Sequence, residues 1–220
     1  MPDIQAITFD VGGTLIKPWP SVGHVYARAA SEHGISGLRP NDLNNCFTTA
    51  WKDLGCRAET KQDWADIVRA TFEGVGRPGT PNALFETLYA RFTEPQSWHM
   101  FEEVLPTLEA LKARGVRMGI LSNWDDRLRP LLTRLGLSGF FEVMIISCEV
   151  GSRKPDPEIF GRTAQAFDLK PEQILHVGDC RDHDLEGATR AGLQAVGIQR
   201  KGRSQNPDWI LELGQVLNRL

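Results

Sequence analysis

Several things that would narrow the role of this 220-residue chain quickly are missing from it. No apolar run approaches the roughly 20 residues of a membrane-spanning helix, so no membrane partner is expected. Excess charge is missing too. With 25 Lys+Arg against 28 Asp+Glu the formal net charge is -3, and the basic residues are scattered among acidic ones, so no nucleic-acid partner is expected either. Cysteine is scarce, and Cys46, Cys56, Cys148 and Cys180 show no CxxC pair and no zinc-ligand spacing. That argues against a disulfide framework and for reduced thiols. The opening "MPDIQAITFD" carries neither a basic n-region nor a long apolar h-region. The expectation is a cytoplasmic protein whose oligomeric state is left open.

What is present is a rhythm. Short apolar segments with β-branched residues recur at Ile4–Phe9, Val116–Leu121, Val143–Ser147, Ile174–Val177 and Ala195–Ile198. Each is four to six residues long, which suits strands buried on both faces. Amphipathic stretches such as "RLRPLLTRLGL" and "DPEIFGRTAQAFDL" separate the later ones, and such alternation predicts right-handed βαβ units and a parallel sheet. The interval between the first two segments is far longer than one crossover helix requires. Four helices are predicted in it, near Ser21–His33, Asn41–Leu54, Gln62–Phe72 and Pro81–Phe92, with no strand. A fifth, Glu103–Arg114, leads into the second strand. The expected architecture is α/β: a Rossmann-like, doubly wound parallel-sheet core of residues 1–16 and 99–220, with an all-helical cap inserted at 17–98. A short strand and a closing helix are expected in the C-terminal "NPDWILELGQVLNRL".

In an open parallel sheet, ligands bind at the carboxyl ends of the strands. The first apolar run ends in Asp10, followed by Gly12, Gly13 and Thr14. Ser122 and Asn123 follow the second, the loop beyond the third carries Lys154, and "GDCRDHD" after the fourth carries Asp179 and Asp184. Three carboxylates, an ammonium and several hydroxyl or backbone donors suit a phosphoryl group plus a hard divalent cation. Each piece has a plainer reading: Asp10 as a turn residue, Ser122–Asn123 as cap formers, and Asp156–Pro157 as an ordinary helix start beside a surface Lys154. Their conjunction in order on successive loops is the signal.

"DVGGTL", "LSN", "KPDP" and "GDCRDHD" resemble, in this order, the four signature motifs of the haloacid-dehalogenase superfamily, and the helical insert resembles its C1 cap. The resemblance spans essentially the whole chain. It implies a hydrolase that uses Mg²⁺ and a small phosphorylated substrate. Asp10 would be the nucleophile that becomes an aspartyl phosphate. Asp10, the backbone carbonyl of Gly12 and Asp179 would ligate the magnesium, and Asp184 would orient water around it. Ser122, Asn123 and Gly13 would bind phosphoryl oxygens. Lys154 would neutralise both the phosphoryl group and Asp10.

One position departs from the pattern. The phosphatases of the superfamily usually carry a second Asp two residues after the nucleophile, as general acid and base; here that residue is Gly12. A well-placed general acid is worth roughly 10²–10⁴ in rate. Four readings stay open at this stage. The substrate could have a leaving group that needs no proton, such as an acyl or aryl phosphate. Lys17, His24 or His183 could substitute, although capping or solvent-facing roles also fit them. The protein could be a 2-haloacid dehalogenase, a reading weakened by the crowding of three carboxylates without a cation. Or it could bind phosphoryl groups with little turnover.

Cap hinges are expected near Lys17–Pro20 and Glu94–Ser97. In the cap, Arg57, Lys61 and Trp64 could meet a substrate anion or line a solvated loop. Trp124 reads equally as pocket wall and as packing, and Trp51, His99 and His176 read as packing.

Overall fold

The computed structural model describes residues 3–55, 57–200, 202 and 206–220; Cys56 lies outside them. The elements run β1 (Ala6–Phe9), β2 (Ile16–Pro18), α1 (Val22–Glu32), α2 (Pro40–Asp53), α3 (Lys61–Gly74), α4 (Asn82–Arg91), β3 (Trp98–Met100), α5 (Val104–Ala113) and β4 (Arg117–Ser122). After them come α6 (Leu128–Arg134), β5 (Val143–Ile146), α7 (Ser147–Val150), α8 (Pro157–Phe167), β6 (Ile174–Gly178), α9 (Gly187–Arg190), β7 (Gln194–Ile198) and β8 (Trp209–Ile210).

The chain forms two compact units: Met1–Lys17 with Met100–Asn123 and Gly136–Leu220, and Pro18–His99 with Trp124–Leu135. The first holds a six-stranded sheet in the order β5-β4-β1-β6-β7-β8, and every pairing in it is parallel. This is the expected Rossmann-like α/β architecture. β1 lies between β4 and β6, with Phe9 level with Ile120 on one side and Val177 on the other. The chain leaves β1 toward β4 and β5, and later returns to its other side through β6. That reversal is the switch point where the loops after neighbouring strands part and leave a crevice.

Its strands are apolar because they are covered on both faces; β1 and β6 are buried at every residue. Ile159, Phe160, Ala164 and Phe167 of α8 pack with Leu121, Val143, Ile145 and Ile174 in one core cluster. α8 starts where the chemistry of "DPE" places it: the Asp156 side chain accepts the Glu158 amide, with Pro157 in the first turn. The closing segment is a short 3₁₀ stretch, Leu213–Asn218.

The second unit is built on α1 to α4 and α6. α3 opens with a capping box in which Thr60 and Asp63 satisfy each other's backbone N–H groups. Tyr26 is buried among Ala29, Leu43, Phe72, Leu84 and Leu88, its ring parallel to that of Phe72 with 6.0 Å between centroids. Trp51 joins a second cluster and stacks on Trp64 at 5.7 Å. The long interval is not strand-free, because β2 and β3 near its ends form a separate two-stranded sheet. At three residues each they are too short to show period-two alternation.

Candidate active site at the carboxyl edge of the sheet

The loop after β1 is a tight turn held by the Gly13 amide donating to the Ile16 carbonyl at 2.8 Å and the Leu15 amide to the Val11 carbonyl at 2.9 Å. Gly13 takes a φ of 80°, and a Cβ there would overlap the Asp179 carboxylate. Glycine is therefore required twice over, by backbone conformation and by close approach. Asp10 itself is pinned by its amide, which donates to Val177 at 2.9 Å.

Around Asp10 the expected residues converge. Its Oδ1 accepts from Ser122 Oγ at 2.9 Å and from Lys154 Nζ at 2.8 Å, and its Oδ2 from Thr14 Oγ1 at 3.4 Å. Lys154 is almost fully enclosed, 2 % exposed, and also donates to Asp184 Oδ1 at 2.5 Å. Asp184 Oδ2 accepts the Cys180 amide at 2.9 Å, within the π-helical turn Arg181–Glu186 and its cap. Oxygens of Asp10, Asp179 and Asp184 lie within 4.8 Å of one another.

Asn123 does something the sequence did not disclose. Its Nδ2 donates to the Lys154 carbonyl and its Oδ1 accepts the Lys154 amide, both at 2.8 Å. The carboxamide thus brackets the lysine's backbone. His176, expected to serve as packing, is also polar in function: Nδ1 is 2.9 Å from Thr8 Oγ1 and Nε2 is 3.1 Å from Asp184 Oδ1. Thr14 belongs to the "DVGGTL" motif, but neither it nor His176 is among the site residues expected from the sequence. The visible signal for His176 was an imidazole inside the apolar run "ILHVG".

The electrostatics are tense. Burial opposes the Lys154 charge, but the Asp10 and Asp184 carboxylates outweigh it and hold the ammonium above the ordinary lysine range. Burial would likewise raise Asp184, yet Lys154 and the His176 contact hold it below the usual carboxylate value. Asp179 goes the other way. Protein packed around its carboxylate, then the charges of Asp10 and Asp184, push it up to about 7. The residue itself keeps an exposed face. Three carboxylates against the Lys154 ammonium leave two negative charges in excess when all are ionised. An all-oxygen donor set with that excess fits a hard divalent cation.

The other candidates have contacts of their own. Lys17 lies over the Phe101 ring at 5.3 Å. His24 is exposed at the start of α1, its ring 2.8 Å from the Ser21 hydroxyl. His183 is half-buried in the π-helical turn, and burial lowers its pKa. In the helical unit Arg57 is exposed, Lys61 pairs with Glu86 at 2.7 Å and the Trp64 indole donates to Asp125. Trp124 packs on Trp98 at 5.4 Å and His99 on Trp19 at 5.0 Å.

Known proteins share this frame. The mouse haloacid dehalogenase-like hydrolase domain-containing protein 3 is 33% identical over 205 residues, 87% of this chain and 80% of its own. A phosphoserine phosphatase from Thermus thermophilus is 34% identical over 143 residues, 64% of this chain and 57% of its own. Among solved structures, a HAD phosphatase from Thermococcus onnurineus superposes with a TM-score of 0.70 at 26% identity, covering 98% of this chain and 97% of its own. The family model for haloacid dehalogenase-like hydrolases matches residues 4–192, from ahead of β1 to just beyond α9, and the chain belongs to that family.

Proposed function

We propose that the protein is a Mg²⁺-dependent phosphohydrolase that acts on a small phosphorylated metabolite through an aspartyl phosphate on Asp10. One observation carries this reading: Asp10 is held by Ser122 and Lys154 while its carboxylate shares one small volume with Asp179 and Asp184. A carboxylate attacking a phosphate dianion needs its repulsion cancelled, and the site gathers the groups that do so.

In the proposed reaction, Lys154 and Ser122 hold phosphoryl oxygens and orient Asp10, assisted by the Gly13 loop and Asn123. A carboxylate oxygen of Asp10 forms the bond to phosphorus as the bond to the leaving oxygen breaks. Water then cleaves the aspartyl phosphate, releasing inorganic phosphate and restoring Asp10. A magnesium ion held by Asp10, the Gly12 carbonyl and Asp179, with Asp184 behind them, would neutralise phosphoryl charge in both steps. Gly12 supplies no proton to the leaving oxygen and removes none from water. Leaving groups that depart as stable anions are therefore favoured.

The missing acid also supports a second reading, a phosphoryl-binding protein with little turnover. One comparison separates the two: p-nitrophenyl phosphate, acetyl phosphate and an alkyl phosphate, each with Mg²⁺ and with EDTA. The enzyme reading expects Mg²⁺-dependent turnover of the first two well above the third. Absence of turnover on all three, together with vanadate binding, supports the binding protein and overturns the enzyme.

A further inference from the structure

A histidine in the middle of a strand buried on both faces needs a reason, because a polar ring there costs free energy unless its hydrogen bonds are satisfied. His176 on β6 is 1 % exposed, and both its nitrogens have partners on different elements. Nδ1 faces Thr8 Oγ1, its register neighbour on β1. Nε2 faces Asp184 Oδ1, in the π-helical turn after the same strand. The Phe160 ring closes one side edge-on, with centroids 6.0 Å apart.

An ionised carboxylate only accepts hydrogen bonds, so the proton at this contact sits on Nε2. In a neutral ring Nδ1 is then the acceptor, and the Thr8 hydroxyl donates to it. Asp184 thereby receives three donors from three places: His176 on Oδ1, Lys154 on Oδ1 and the Cys180 amide on Oδ2. Gly178 makes room for this arrangement, since a Cβ there would overlap the Asp184 side chain. With His176 removed, Asp184 loses the donor that fixes it from the sheet side and shares Lys154 with Asp10 less firmly.

We infer that His176 is a positioning residue: held as its Nε2–H tautomer by Thr8, it orients Asp184 and, through it, the carboxylate cluster and Lys154. As far as the cluster is a magnesium site, the inference rests on the function proposed above. Groups that orient metal ligands from behind typically change affinity or activity by 10- to 100-fold.

Two measurements test it. Nitrogen-15 NMR of histidine-labelled protein at pH 8, without metal, should show His176 protonated at Nε2 and bare at Nδ1, with that preference weakened in Thr8→Val. An Nδ1–H tautomer in the wild type overturns the inference. Calorimetric Mg²⁺ titration should show about 10- to 100-fold weaker binding for His176→Leu and recovery to within a few-fold in His176→Gln, whose amide keeps a donor near Nε2. Equal Mg²⁺ affinity in the wild type and His176→Leu also overturns it, even if the variant melts earlier. Should His176→Leu not fold, Thr8→Val takes its place, with a smaller loss expected and unchanged affinity counting against the idea. A wild type that binds no Mg²⁺ sinks the metal-dependent function instead, and the tautomer then decides His176 alone.

Discussion

Asn123 and Lys154, 31 positions apart, are joined by two reciprocal hydrogen bonds of 2.8 Å between the asparagine carboxamide and the lysine's own peptide groups. Lys154 is thus placed from its backbone as well as from its ammonium, which spans Asp10 and Asp184.

Asn123→Ala removes both bonds. Each is worth about 0.5–1.5 kcal/mol net, so a loss of about 1–3 kcal/mol in denaturant unfolding is expected. Under the proposed function, kcat falls on the order of 10- to 100-fold from misplacement of the ammonium. Unaltered kcat would show that the side-chain ion pairs alone place Lys154.

Asp179 makes the stability of the metal-free protein depend on pH. Its carboxyl ionises at about 7 in the folded chain and near 3.9 when unfolded. Between those values the folded state holds the extra proton, so this group makes stability fall as pH rises from about 4 to about 7. Thermal unfolding in EDTA should show that decline, and Asp179→Asn should flatten it. If the two profiles run parallel across this window, the charge crowding assigned to the cluster is wrong.

Gly12→Asp supplies the absent acid at the position the family pattern assigns to it. Turnover of an alkyl phosphate is expected to rise on the order of 10²-fold or more, with a smaller gain on p-nitrophenyl phosphate. Equal gains on both substrates would refute the leaving-group argument.

Arg127 is the matching test in the helical unit. Its guanidinium pairs with Asp125 at 2.5 Å and lies 3.9 Å from the Tyr89 ring centroid and 5.0 Å from that of Trp64. Asp125 also accepts the Trp64 indole N–H and is 1 % exposed. Arg127→Met leaves that carboxylate buried without its cation, at a cost of about 3–5 kcal/mol. Adding Asp125→Asn should recover part of the loss. Urea unfolding of the single and double variants measures both, and a single-variant loss below about 1 kcal/mol would show that the pair is not structural.

Much of this was written locally. Strand ends and helix caps depend on a few neighbouring residues, and so Asp10, Ser122 and Asp179 could be assigned to strand ends, and Asp156 to a helix start, from the chain alone. The parallel sheet followed from alternation, because doubly covered strands must be apolar throughout. Which loops meet was decided by strand order: β1 lies between β4 and β6, and this brings Ser122 to an aspartate 112 positions away. Side-chain partners were equally hidden. Asn123 and His176 have ordinary local contexts, and only the register of β1 with β6 and the path of the α7–α8 loop show what their polar atoms meet. The same holds for Trp124–Leu135, which follows a core strand in sequence but clusters with the helical unit. Composition and periodicity carry one-dimensional information about burial, whereas a polar contact is fixed by two chain segments at once. The sequence therefore named the charged and polar groups at the strand ends, and the tertiary structure chose their partners.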